Sequence, residues 1–124
     1  MKKEELMIGD WVLCTQNGKP EQVQEIGTGL VMLDYNDLYE YDKVEPIPLT
    51  AEILTQNKIS KSRLMGEQRH FTYYLGPQLS LLAIYDADFS FHIGEGARKV
   101  RYVHELQHLM RICGVEKELV ISEK

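Results

Sequence analysis

Turn-forming residues interrupt this chain so often that only one stretch, from about Arg98 to Cys113, runs far enough between them to make a helix of several turns. Gly94-Glu95-Gly96 precedes it, and Gly114 stands where a helix C-terminus favours glycine. At roughly 100° per residue, Tyr102, Val103, Leu106, Leu109, Met110 and Cys113 fall within an arc of about 120°, which reads as a core stripe. Everything else must fold as short strands and single turns of helix. Between Leu6 and Leu49, apolar runs of a few residues alternate with Asn17-Gly18, Gly27-Thr28-Gly29 and the turn from Asp34 to Asp37. Pro46 and Pro48 restrict the last of these pieces to an edge strand or an extended linker. Four or five short strands in about 45 residues point to a small barrel of the SH3-like kind.

The remaining segments complete an α+β reading. Thr50 is placed to cap a short helix through Ile53 and Leu54, with Asn57 closing it. Residues 58–68 are polar and basic and read as a loop, the one candidate boundary between halves 1–57 and 69–124. Beyond it, Phe71, Tyr73 and Leu75 share one strand face, Leu79 to Tyr85 is a second apolar run, and Phe89, Phe91 and Ile93 share a face of a third. A final strand is expected from about Lys117 to Ser122. The expected architecture is an SH3-like N-terminal half followed by antiparallel strands packed by one C-terminal helix. At 124 residues, 44% hydrophobic and 27% charged, the whole chain fits one compact unit, and disorder and fibrous repeats are excluded.

Charge and cysteine content narrow the function classes. The net charge is −5 and the sequence pI about 5.3, which disfavours a phosphate backbone as main partner. Positive charge is local, at Lys58, Lys61, Arg63 and Arg69 and again at Arg98, Lys99 and Arg101, leaving only a weak nucleic-acid reading. Acidic residues gather at Asp34, Asp37, Glu40, Asp42 and Glu45. Cys14 and Cys113 form no CxxC pair and sit in apolar runs, where a thiol usually behaves as a small buried hydrophobe. Neither a signal peptide nor a span of roughly 18 apolar residues is visible, so a cytoplasmic, membrane-free protein is expected.

One segment carries a chemical pattern. Residues 104–108 read His-Glu-Leu-Gln-His, the H-E-x-x-H spacing in which two histidines a helical turn apart bind zinc and the glutamate activates bound water. His104 and His108 would be the metal ligands and Glu105 the catalytic base of a zinc-dependent hydrolase. The surroundings argue against it. Both histidines point away from the core stripe, between Arg101 and Arg111, onto what reads as a solvated face. No third ligand stands out among His70, His92, Glu116 and Glu118. An amphipathic helix with two surface histidines and no cofactor is the favoured reading. Trp11, Tyr39 and Tyr41 are weak candidates for binding a protein partner, with Tyr35 beside them, although strand aromatics are more often half-buried core.

Val44-Glu45-Pro46-Ile47-Pro48-Leu49-Thr50-Ala51-Glu52-Ile53-Leu54, Arg101-Tyr102-Val103-His104-Glu105-Leu106-Gln107-His108-Leu109 and Gly114-Val115-Glu116-Lys117-Glu118-Leu119 together carry a resemblance. The chain resembles a family of small uncharacterised bacterial proteins with an "IPLT-EEIL" segment followed by a "YVHxLQ" helix. That resemblance implies an order of elements, an accessory role in prophages or mobile elements, and no activity. It also implies Gln at the place of Glu105 and Asn at that of His108 in relatives, substitutions a zinc enzyme could not carry. The function expected from the sequence is a non-enzymatic interaction module with an unknown protein partner.

Overall fold

The computed structural model describes residues 1–34, 37–63, 70–76, 79–84, 88–93, 96–115 and 117–121. The chain divides into two compact units whose segments interleave: Met1–Pro48, Tyr102–His108 and Ile121–Lys124 make the first, Leu49–Arg101 and Leu109–Val120 the second. The class is α+β, with small antiparallel sheets and one main helix. No described helix is long and apolar enough to cross a membrane.

In the first unit β1 (Trp11–Cys14), β2 (Lys19–Gln22) and β6 (Val44–Pro46) form one sheet, ordered β2-β1-β6. The strands β3 (Glu25–Ile26), β4 (Leu30–Met32) and β5 (Leu38–Glu40) form another in chain order. Alternation explains β1: Val12 and Cys14 are fully buried, whereas Trp11 and Leu13 lie on the other face and are half-buried. Asn17 and Gly18 make the turn to β2. Gly18 takes φ +69°, and the Asn17 Oδ1 accepts from the Lys19 N–H at 2.9 Å. Pro20 is tolerated because β2 is an edge strand.

Between β2 and β3 the chain changes partners. The Val23 N–H donates to the Asp10 carbonyl, and the next residue, Gln24, donates to the Met32 carbonyl in the second sheet. One bent segment therefore serves both sheets. Their inward residues Val12, Cys14, Val23, Val31, Leu33 and Val44 join Leu6 in a core, with Ile26, Tyr39 and Tyr41 packed at its border. A single 3-10 turn, Tyr41–Lys43, leads from β5 into β6.

The second unit opens with α1 (Ala51–Gln56), where the Thr50 Oγ1 accepts from the Ile53 N–H as expected of an N-cap. Its C-terminus is a Schellman turn: Lys58 donates to the Thr55 carbonyl and Ile59 to that of Leu54, with Lys58 at φ +58°. A meander ordered β11-β10-β9-β8-β7 follows, from β7 (Ser60–Arg63) through β8 (His70–Gly76), β9 (Leu79–Ile84) and β10 (Asp88–Ile93) to β11 (Gly96–Val100). Among its described side chains Tyr73, Leu75, Leu81, Phe89 and Val100 are buried, and the Tyr73 and Phe89 rings lie 6.0 Å apart.

Helix α2 (Val103–Ile112) is shorter than the sequence reading, because Arg98 and Lys99 belong to β11, paired with Phe91 and Ser90. Strand pairing keeps these two cations out of the first helical turn, where they would oppose the macrodipole. Gly114 closes the helix at φ +74°, as its position in the sequence implied. Three further expectations are corrected. Residues 60–63 form a strand, the last of its sheet among the described residues, and their polar composition is one that edge strands commonly have, while 64–69 lie outside the described residues. No strand forms at 117–121; instead the Asn57 side chain takes up both backbone groups of Val120, accepting from its N–H at 2.7 Å and donating to its carbonyl at 3.0 Å. Cys113 is exposed, because it sits beyond the last full turn of α2, whereas Cys14 is buried.

Candidate functional site

The segment His104–His108 meets the turn that leads into β1. In that turn the Asp10 carboxylate accepts from the Met7 N–H at 2.8 Å, while the Asp10 N–H donates to the Met7 carbonyl. Gly9 adopts φ +93°, a conformation that favours glycine. Its N–H and carbonyl thereby point apart: the N–H bonds to the Val23 carbonyl, and the carbonyl accepts from the side-chain amides of Gln22 and Gln107.

Each polar side chain of the helical segment except His104 has an internal partner. Gln107 is the centre of a clamp, accepting from the Trp11 N–H at 2.8 Å and donating to the Gly9 carbonyl at 3.0 Å. The His108 Nε2 lies 2.6 Å from the Asp10 Oδ2, and Asp10 is fully buried. A carboxylate only accepts, so this nitrogen carries the hydrogen. Glu105 reaches back to the Tyr102 N–H at 3.0 Å, which is the return half of a capping box.

His104 is 5% exposed, and its Nδ1 is buried without a hydrogen-bond partner. Its ring stacks near that of Tyr102 and meets His108 edge-on at 5.6 Å between centroids. Burial holds its pKa below the usual histidine value. The Asp10 carboxylate opposes that shift, the His108 ring adds to it, and Glu105 and Glu5 oppose it more weakly.

The expected solvated histidine face is thus corrected. Val103, His104, Leu106, Gln107, Leu109 and Met110 are all buried, so burial extends round most of α2 and polar residues on it signify internal hydrogen bonding. For the zinc reading, the helix does bring His104 and His108 together. However, tetrahedral ligands on one zinc lie about 3.3 Å apart, so the 2.6 Å between His108 and Asp10 is a direct hydrogen bond. Among the described residues no group of three or more His, Cys, Asp or Glu side chains is placed to hold a metal ion. Glu118 is exposed, and the side chains of His70, His92 and Glu116 lie outside those described.

The aromatic candidates do not converge. Trp11 is half-buried on the face of β1 opposite Val12 and Cys14, whereas Tyr39 and Tyr41 pack at the border of the core those residues form. A hydrogen bond with the Cys14 thiol pushes the Tyr39 phenol up to about 12, and the Tyr41 hydroxyl donates to the Gly27 carbonyl at 2.5 Å. Tyr35 lies outside the described residues. Of the acidic cluster, Asp34 is internal, accepting from the Gln22 N–H and the Gln24 amide, while Asp37, Glu40, Asp42 and Glu45 are exposed. Lys58, Arg98, Lys99 and Arg101 are also exposed, and the side chains of Lys61, Arg63 and Arg69 lie outside those described.

Sequence reasoning missed Asp10 and Gln107 and, for Asn57, which it placed at the end of α1, missed the bond to Val120. Their partners lie 63 to 98 residues away in the chain, and no local pattern signals such pairing. It also missed the outer face of β3, β4 and β5, where Leu30 and Leu38 are 41% and 57% exposed beside Met32 and the Gly27–Gly29 turn, forming a shallow apolar groove. No family model, no curated protein and no solved structure matches this chain.

Proposed function

We propose that this protein is a non-enzymatic interaction module built on an SH3-like pair of sheets, with a protein partner. The observation that carries the reading is the internal engagement of Glu105, Gln107 and His108: Glu105 caps its own helix, Gln107 clamps the backbone of Gly9 and Trp11, and His108 bonds the Asp10 carboxylate. The pairing order supports the SH3-like part. A bent segment shared by two three-stranded sheets, with a 3-10 turn before the last strand, is how such barrels are connected, and the warrant is one of architecture alone. The exposed apolar groove supplies a surface suited to a partner. A cytoplasmic location accords with two free cysteines, and the reading requires no cofactor.

Two measurements test it. Zinc content of untagged, dialysed protein is expected to be far below one per chain. His108→Ala is expected to lower stability by about 1–3 kcal/mol through loss of the Asp10 bond. Near one zinc per chain, lost in the variant, would replace the reading with the hydrolase. Panning a random peptide library on the folded protein is expected to enrich binders that the urea-unfolded protein does not retain, and failure to do so refutes the module.

A further inference from the structure

We infer that the outer face of the β3–β4–β5 sheet receives a helix of a protein partner, one that sets apolar side chains between two lysines or arginines; this deepens, and rests on, the interaction-module reading. Strand register locates the groups. Glu25 pairs with Met32 and Met32 with Leu38, while Leu30 pairs with Glu40. Residues directly opposite one another in an antiparallel pair share a face. The outer face therefore carries Glu25, Met32 and Leu38 in one row, and Leu30 and Glu40 in the next. Gly27, whose N–H donates to the Leu30 carbonyl at 2.9 Å where the β3–β4 hairpin closes, adds no side chain and leaves the groove open beside Leu30. Ile26, Val31 and Tyr39 alternate with these residues and pack on the core at the inner face.

The apolar part is a triangle of Leu30, Met32 and Leu38, with exposed carboxylates at two diagonal corners, Glu25 and Glu40. Exposed Asp37 and Asp42 lie just beyond the ends of β5, and neither row holds a cation. Such a face selects positive charge and apolar side chains together, and its carboxylates repel a phosphate backbone. An occupant lying across it meets side chains and finds no backbone N–H or C=O to pair with, so it must satisfy its own. A helix does so within itself. An extended peptide does not, and one that paired with the edge of β5 would lie beside these residues rather than over them. Spacing agrees with a helix. Two strand intervals and two residues separate Glu25 from Glu40, about 12 Å between their Cα atoms. Positions i and i+7 of a helix lie about 10.5 Å apart on one face, with i+3 and i+4 between them. Cations at i and i+7 thus reach the two carboxylates while apolar residues at i+3 and i+4 meet the triangle.

The test is an NMR titration of the full chain, labelled with nitrogen-15, by four synthetic peptides on an alanine and glutamine background. The first has lysine at i and i+7 and leucine at i+3 and i+4. The second has its lysines moved to the opposite helix face, the third has proline at i+2 to break the helix, and the fourth has glutamate for each lysine. Circular dichroism follows peptide helicity and checks that Leu38→Asp and the double variant Glu25→Lys, Glu40→Lys remain folded; all three positions are exposed. Expected with the first peptide are shifts confined to residues 25–32 and 38–40, lost in Leu38→Asp. Affinity is expected to fall by roughly fivefold for the second peptide and to vanish for the third. Charge reversal in the protein is expected to weaken the first peptide and admit the fourth. Equal binding of the third peptide, which marks strand addition at an edge, overturns the inference. So do equal binding of the second, shifts elsewhere, or no binding of the first. A dimer in sedimentation that Leu38→Asp abolishes also overturns it, since a second copy would then cover the face. In each of those cases the module stands if library panning still yields binders; if panning fails as well, both fall.

Discussion

Replacing Gln107 by Met keeps the volume and helix propensity of the side chain while deleting both arms of its clamp. The Trp11 N–H loses its 2.8 Å acceptor in a partly buried setting, at a cost of about 1–3 kcal/mol. The Gly9 carbonyl loses one of two donors but keeps the Gln22 amide at 3.1 Å, so that arm costs about 0.5 kcal/mol. Removing a buried amide offsets part of this, leaving a net destabilisation of about 2 kcal/mol. With a urea dependence of about 1–3 kcal/mol per molar for a domain of this size, the midpoint should fall by about 1 M at unchanged slope. Trp11 is the only tryptophan and its backbone is itself clamped, so its fluorescence reports the perturbation where it occurs. A midpoint within about 0.2 M of the parent, by fluorescence and circular dichroism alike, would refute the claim that this segment acts as a structural clamp.

Other expectations follow from the same geometry. Because burial lowers the pKa of His104 in the folded state, its contribution is intact above the unfolded value of about 6.5 and is lost as pH falls below it, with a slope of at most about 1.4 kcal/mol per pH unit. Urea midpoints between pH 7.5 and pH 5.5 should therefore drop more in the parent than in His104→Leu; equal drops would show that other groups set the acid limb. Lys58 occupies the left-handed C′ position of α1, so Lys58→Gly should raise stability by about 0.5–1 kcal/mol in the same melts, and a loss would mean that its side chain has a structural role.

What was legible in the sequence was local. Asn17-Gly18, the Thr50 cap, Gly114 and the alternation around Tyr73 act within a turn or a strand, and each is found where the residues placed it. The strand at 60–63, the last of its sheet among the described residues, was obscured because edge strands are commonly polar, as loops are. The missing strand at 117–121 was obscured by a side chain, since Asn57 answers Val120 as a neighbouring strand would.

The candidate site shows the same division more sharply. The sequence by itself determined that residues 104 and 108 share a helix face, because helical geometry depends only on spacing. It also determined the α+β class and the inward stripe of Val103, Leu106, Leu109 and Met110. Only the tertiary structure decided that the opposite face is buried too, that Asp10 takes the His108 nitrogen, and that Gln107 binds the Gly9 turn. A helix records which of its faces is polar but not whether that polarity meets water or a distant backbone. Both satisfy the same donors and acceptors, and only the fold brings the second within reach.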